Sequence, residues 1–111
     1  MRMEILYFEG CPSYEGAEET LKEVLSELGT EAAEVAMVAV ATDEEARRLR
    51  FPGSPTMWAD GEDLFPVPER GDWRLGCRVY ATSEGLRGSP TAKMVREALT
   101  RKAEAGVDRG L

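Results

Sequence analysis

A short apolar run, Ile5-Leu6-Tyr7-Phe8, stops at Glu9-Gly10, and Cys11-Pro12 then opens a long helical pattern. This junction constrains the chain more than any other stretch. Met3–Phe8 is apolar on both faces, which predicts a central, fully covered strand. Proline is favoured at the first position of a helix, where an N–H would lack a partner in any case. Cys11 is therefore expected as the N-cap, with its sulfur facing unpaired backbone N–H groups and the positive end of the helix dipole. Such a position favours thiolate, the nucleophilic and metal-binding form of cysteine. The plainer alternative is a half-buried structural cysteine.

The rest of the chain alternates strands and helices. The first helix is expected from Pro12 to Leu28, with Tyr14, Ala17, Leu21, Val24, Leu25 and Leu28 on its core face and Gly29 as its stop. Val35–Val40 predicts a second buried strand. Thr42 and Glu45 form a capping box that opens a short helix, and Arg47, Arg48 and Arg50 sit at its negative end. Asp60-Gly61 is a hairpin-turn signal, so Thr56–Ala59 and Glu62–Phe65 should pair antiparallel. Gly-Ser-Pro-Thr occurs at Gly53–Thr56 and again at Gly88–Thr91. The second copy predicts a helix from Pro90 to about Ala105, with Ser89 as N-cap. The first copy enters a strand, where a proline is tolerated if its fixed φ is useful, as in a cis Ser54-Pro55 bond. Pro66–Gly88 reads as a loop-rich insert holding one short strand, Cys77–Ala81, and Glu104–Leu111 as a frayed tail.

These elements define one domain over residues 1–111, with an insert at 66–88 and a tail at 106–111. It is α/β in class, in the order β-α-β-α-β-β-α. A right-handed crossover makes the first two strands parallel and the hairpin makes the last antiparallel. The result is a four-stranded mixed sheet flanked by helices.

Charge and composition narrow the chemistry. The net charge is −7, which disfavours nucleic acid and anionic membrane as partners. No apolar run approaches the ~20 residues of a membrane span. The N-terminus has neither the apolar core nor the cleavage site of a signal peptide, so a cytoplasmic location is expected. The chain has no histidine and two cysteines, Cys11 and Cys77. Imidazole catalysis, His-ligated zinc and Cys₄ metal sites are thereby excluded.

Cys-Pro opening helix one, with Gly-Ser-Pro-Thr entering strand three, resembles the thioredoxin-like superfamily in its glutaredoxin-sized form. The resemblance covers residues 3–65 and 89–105; the insert has no counterpart in small glutaredoxins. It implies Cys11 as the attacking cysteine and Pro55 as a cis-proline facing it, with Pro12, Tyr14, Ser54 and Thr56 beside the substrate. The second cysteine of the Cys-x-x-Cys motif is replaced by Tyr14, so dithiol exchange within the motif is lost. What remains is single-cysteine chemistry with glutathione or another small thiol, a resolving cysteine elsewhere, or a scaffold without activity. The Gly-Ser-Pro-Thr, Asp-Gly and Cys-Arg-x-Tyr set also looks like small bacterial thioredoxin-like proteins, some labelled by a link to alkylmercury lyase.

Cys77 starts about a dozen residues into the insert, within reach of Cys11 at ~3.3 Å per residue. It either resolves a mixed disulfide at Cys11 or packs inward beside Val79 as a structural thiol. The expected function is thus thiol–disulfide exchange by Cys11 and Cys77, with no resident cofactor and a disulfide-containing protein or small thiol as partner. The rivals are thiophilic metal binding by the two cysteines and a non-catalytic scaffold. Glu9 and Glu15 oppose a thiolate at Cys11. Arg70, Arg74 and Arg78 either offset them and bind an anionic thiol such as glutathione or, the preferred reading, form solvated surface. Tyr14 and Trp58 are read as core and Trp73 as a binding contact.

Overall fold

The computed structural model describes residues 2–29, 34–68 and 73–109. Nine elements follow in chain order: β1 (Met3–Tyr7), α1 (Tyr14–Glu27), β2 (Val35–Ala39), α2 (Asp43–Leu49), β3 (Thr56–Ala59), β4 (Glu62–Asp63), β5 (Tyr80–Thr82), β6 (Gly85–Arg87) and α3 (Ala92–Arg109). β1 to β4 form one mixed sheet in the order β2-β1-β3-β4. β1 runs parallel to β2 and antiparallel to β3, with Met3 opposite both Val35 and Ala59. β3 turns back on β4 at Asp60-Gly61, where both residues take positive φ, 52° and 83°. Only glycine and a short polar residue such as aspartate enter that region readily, so the Asp-Gly signal and the turn agree.

The core lies on both faces of β1. On one face Met3 and Ile5 pack with Ala17, Leu21, Val24 and Leu25 of α1 and with Val95, Ala98 and Leu99 of α3. The α1 residues recur at helical spacing, and full burial of each large one stabilises the fold by about 1.5–3 kcal/mol. On the other face Leu6 packs with Val40, Ala46 and Phe51, joined by half-buried Trp58 and Leu75. Helices thus cover the sheet on both sides, α1 and α3 opposite α2. Among the described residues no helix is long and apolar enough to cross a membrane.

Several boundaries differ from those read in the sequence. Both helices expected to start at Xaa-Pro start two residues later. Ser13, not Cys11, is the N-cap of α1, and Pro12-Ser13 form a turn. Thr91, not Ser89, opens α3: its Oγ1 accepts the Met94 N–H at 3.2 Å and its carbonyl accepts Val95 N–H at 3.0 Å. At α3 the Thr91 hydroxyl supplies the cap, whereas Ser13 makes no side-chain cap and its carbonyl alone accepts from α1, from Ala17 N–H at 3.1 Å. The Thr42 cap is as expected, accepting from Glu45 N–H at 3.1 Å, and Gly29 takes φ 76° after α1.

β2 is an edge strand, half-buried and exposed by turns instead of fully buried. Its length and apolar content fit a central strand, but β3 takes the other side of β1. β4 ends at Asp63, although Leu64 N–H still reaches Met57 O at 2.9 Å. α3 continues to Arg109 through most of the stretch expected to fray. The insert holds a hairpin, β5 paired with β6, in place of a lone strand at 77–81. Arg70, in the insert, and residues 110–111 of the expected tail lie outside the described residues.

Candidate functional site

β1 ends against the Gly53–Thr56 turn, and the chain then reverses to deliver Cys11. Cys11 N–H donates to Phe8 O at 3.0 Å, closing a tight turn. A Cβ at Gly10 would stand 3.0 Å from the Phe8 ring, which would have to shift to admit a larger residue. Cys11 is 5% exposed. Its sulfur accepts the Ser13 N–H at 3.4 Å. The sulfur therefore has a backbone donor at the entrance to α1, although it does not cap the helix.

Opposite this turn the Ser54-Pro55 peptide bond is cis. Ser54, Pro55 and Thr56 are all buried. Ser54 Oγ accepts from Phe8 N–H at 3.3 Å, which ties the turn to the end of β1. Thr56 Oγ1 donates to Gly53 O at 2.6 Å. The Ser54 and Thr56 side chains thus hold the turn together from within. Pro12 is exposed, and Tyr14 is half-buried. Tyr14 is not a core residue: its ring stacks on Tyr7 with centroids 4.3 Å apart. Partial desolvation and then the charge of Glu15, followed by Tyr7, Glu9 and Cys11, raise its pKa above 10.0.

The insert returns to this same place. Ser54 N–H donates to Gly76 O at 2.8 Å, and Arg78 N–H donates to Ser54 O at 2.9 Å. These two bonds make a parallel bridge between Ser54 and Cys77. Cys77 is exposed whereas Cys11 is buried, and the two are not joined in a disulfide. It does not pack inward with Val79, which is 61% exposed. Along Cys77–Ala81 burial alternates strictly, with Arg78 and Tyr80 inside and Cys77, Val79 and Ala81 outside.

Arg78 is the main correction to the charge reading. It is 6% exposed, not solvated surface. Its guanidinium donates to Asp63 Oδ2 at 2.9 Å and to Thr56 Oγ1 at 3.1 Å. It also donates to the Phe65 carbonyl and lies 4.6 Å from the Tyr80 ring centre. All of this satisfies a buried charge that would otherwise be very costly. Tyr80 in turn donates its hydroxyl to Pro55 O at 2.5 Å. Burial raises the Tyr80 pKa; Arg78 opposes the shift, while Asp63 and Cys11 add to it. Trp73, expected as a binding contact, is 8% exposed. Trp58 is half-buried against the α2-side core.

Gly53 makes the close approach possible. Its φ is +130°, and a Cβ there would stand 2.9 Å from Arg78 N and Cα. A Cβ at Gly88 would run into Ser13 Oγ, so the far end of the insert also abuts the Cys11 turn. Sequence reasoning assigned no role to Gly53, Asp63 or Tyr80. The signal for Arg78 and Tyr80 is their two-residue spacing, but the smaller residues that alternate with them, Cys77, Val79 and Ala81, suggest the opposite facing.

The structure thus brings Cys11, Ser54, Pro55 and Cys77 to one end of the sheet, with Tyr14 at its rim. Among the described residues, no three His, Cys, Asp or Glu side chains are grouped to hold a metal ion. No family model matches this chain, and comparison with curated proteins and with solved structures gave no match.

Proposed function

We propose that this is a thioredoxin-like domain that carries out thiol–disulfide exchange through Cys11. The support for that fold is the sheet order β2-β1-β3-β4, with only the β1–β2 pair parallel, and the placement of α1 and α3 opposite α2. One observation carries the activity: a buried thiol with a backbone N–H aimed at its sulfur shares one end of the sheet with the Ser54-Pro55 turn and a second, exposed thiol.

In the first step the Cys11 thiolate attacks one sulfur of a disulfide. A Cys11–substrate S–S bond forms, the substrate's own S–S bond breaks, and the departing thiolate takes up a proton. In the second step a thiol displaces the substrate sulfur from Cys11. Cys77 fills that role when its thiolate attacks Cys11 Sγ, leaving a Cys11–Cys77 disulfide; a small external thiol such as glutathione fills it otherwise. Electrons balance in each step, and no metal or bound cofactor takes part.

Mass spectrometry of protein treated with a small disulfide tests the reading. Wild-type protein should pass through a mixed disulfide at Cys11 to an internal disulfide. Cys77→Ser should stop at the mixed disulfide, and Cys11→Ser should lose turnover. Full exchange activity in Cys11→Ser would refute it. Stoichiometric binding of a soft metal, lost in either cysteine variant, would favour the metal-binding alternative instead. Thiols inert to both reagents would favour the scaffold.

A further inference from the structure

The main-chain edge beside Cys11 is already occupied by the chain's own insert. Proline has no N–H, so Ser54 N–H is the sole amide donor of the Ser54-Pro55 pair, and it is spent on Gly76 O. Ser54 O receives Arg78 N–H. Pro55 O receives the Tyr80 hydroxyl, and Gly53 O receives Thr56 Oγ1. An extended peptide docks on a sheet by pairing with unpaired N–H and C=O groups of an edge. Here Gly76–Arg78 sits where that peptide would lie. It is held there by the buried Arg78–Asp63 pair and by its fit against Gly53.

The geometry points to a low-molecular-weight disulfide, neutral or cationic, as the substrate of Cys11, in place of an extended polypeptide. This rests on the thiol-exchange reading of Cys11. Two further features fit it. Cys11 is only 5% exposed, so a small reagent reaches it more readily than a folded surface does. Two carboxylates, Glu9 and Glu15, lie two and four residues from Cys11 along the chain. Arg78, which might have attracted an anion, is committed to Asp63. Carboxylates so close in sequence to Cys11, in a chain of net charge −7, disfavour anionic disulfides.

The test uses full-length Cys77→Ser, so that only Cys11 can react, and follows mixed-disulfide formation by mass spectrometry. The probes are cystamine, 2-hydroxyethyl disulfide, oxidised glutathione and an extended peptide whose cysteine is disulfide-linked to 2-mercaptoethanol. Attack on the peptide sulfur expels 2-mercaptoethanol, the leaving thiol of the second probe, so the Cys11–peptide adduct is the one compared and the leaving group is the same in both. Cystamine is expected to react fastest and 2-hydroxyethyl disulfide next. The peptide and oxidised glutathione should each be at least about tenfold slower than 2-hydroxyethyl disulfide, a difference of about 1.4 kcal/mol in barrier. A peptide rate equal to or above that of 2-hydroxyethyl disulfide, or oxidised glutathione as the fastest probe, would overturn the substrate assignment and leave the Cys11 chemistry standing. No adduct at Cys11 with any probe would overturn both.

Discussion

The Arg78–Asp63 pair is the strongest single prediction, because it joins the insert to β3 and β4 inside the protein. Arg78 and Asp63 side chains are 6% and 16% exposed. Breaking a buried ion pair by removing one member costs about 3–5 kcal/mol, since the remaining charge is left without compensation. In Arg78→Met, Asp63 keeps the Phe65 N–H at 2.8 Å and some contact with water, which favours the lower end. Thr56 Oγ1 and the Phe65 carbonyl each lose a charged donor as well. The expected loss is about 3 kcal/mol, a large part of the 5–15 kcal/mol typical of a whole domain.

Urea unfolding reads this directly. With a slope of ~1–3 kcal/mol per M, the midpoint should fall by roughly 1–3 M at unchanged slope. The double variant Arg78→Met/Asp63→Leu should recover much of that loss, because a buried pair is often replaced by apolar groups at little net cost. Arg96→Ala is the surface control. It removes a pair with Glu27 in which both side chains are well exposed, and should leave the midpoint almost unmoved. An Arg78→Met midpoint as close to wild type as that of Arg96→Ala would refute the argument that this pair anchors the insert.

Three further outcomes follow from the same contacts. Tyr80 keeps its proton in the folded state well above pH 10, whereas in the unfolded chain it ionises near ~10. The unfolded state then binds fewer protons, so stability falls as pH rises above 10, by up to about 1.4 kcal/mol per unit from this group. Tyr80→Phe should flatten that decline in urea midpoints taken between pH 9 and 11; an unchanged slope would contradict the burial argument. Gly53→Ala should destabilise the protein by about 2–4 kcal/mol, combining strain at positive φ with the forced retreat of Arg78; its Tm and the hydrogen-exchange protection of Ser54 and Arg78 amides report both effects. Thr91→Ala should cost about 1 kcal/mol as a lost cap, while Ser89→Ala should cost much less, and equal losses in thermal melts would undo the assignment of Thr91 as the cap of α3.

The sheet was largely legible in the sequence because its signals are local and strong. Ile5–Phe8 is apolar on both faces, the Thr42-Glu45 box is a complete cap, and Asp60-Gly61 supplies the positive φ a tight hairpin needs. The errors share a different origin. Cys11 and Ser89 look like caps because each precedes a proline that suits the first helical position; both helices instead start two residues after that proline, and only α3 has a hydroxyl cap there, from Thr91. The rank of β2 within the sheet depends on β3 taking the far side of β1, which no local pattern in Val35–Val40 encodes. The insert was least legible, because its burial inverts the usual rule: Arg78 and Tyr80 face in while Val79 faces out. That inversion is stable only because Asp63, Thr56, Phe65 O and Pro55 O stand ready to receive their donors, and those partners come from other parts of the chain.

The same inversion bears on the site. Had Val79 and its neighbours faced inward, the insert would rest on the domain by apolar contact alone and could slide in register. Instead two main-chain bonds at Ser54, the Tyr80–Pro55 bond and the Arg78–Asp63 pair fix Cys77 to the backbone immediately before the cis proline. Under the proposed exchange chemistry, the tyrosine at position 14 and the cysteine held beside Ser54 belong to one arrangement. The resolving thiol would come from the insert, and the same insert covers the main-chain edge at Ser54. On that proposal the second thiol and the exclusion of extended substrates arise together. Any change that frees the insert, such as Arg78→Met, should therefore weaken formation of the internal disulfide while opening Cys11 to larger disulfides, an opposed pair of effects that simple loss of stability would not produce.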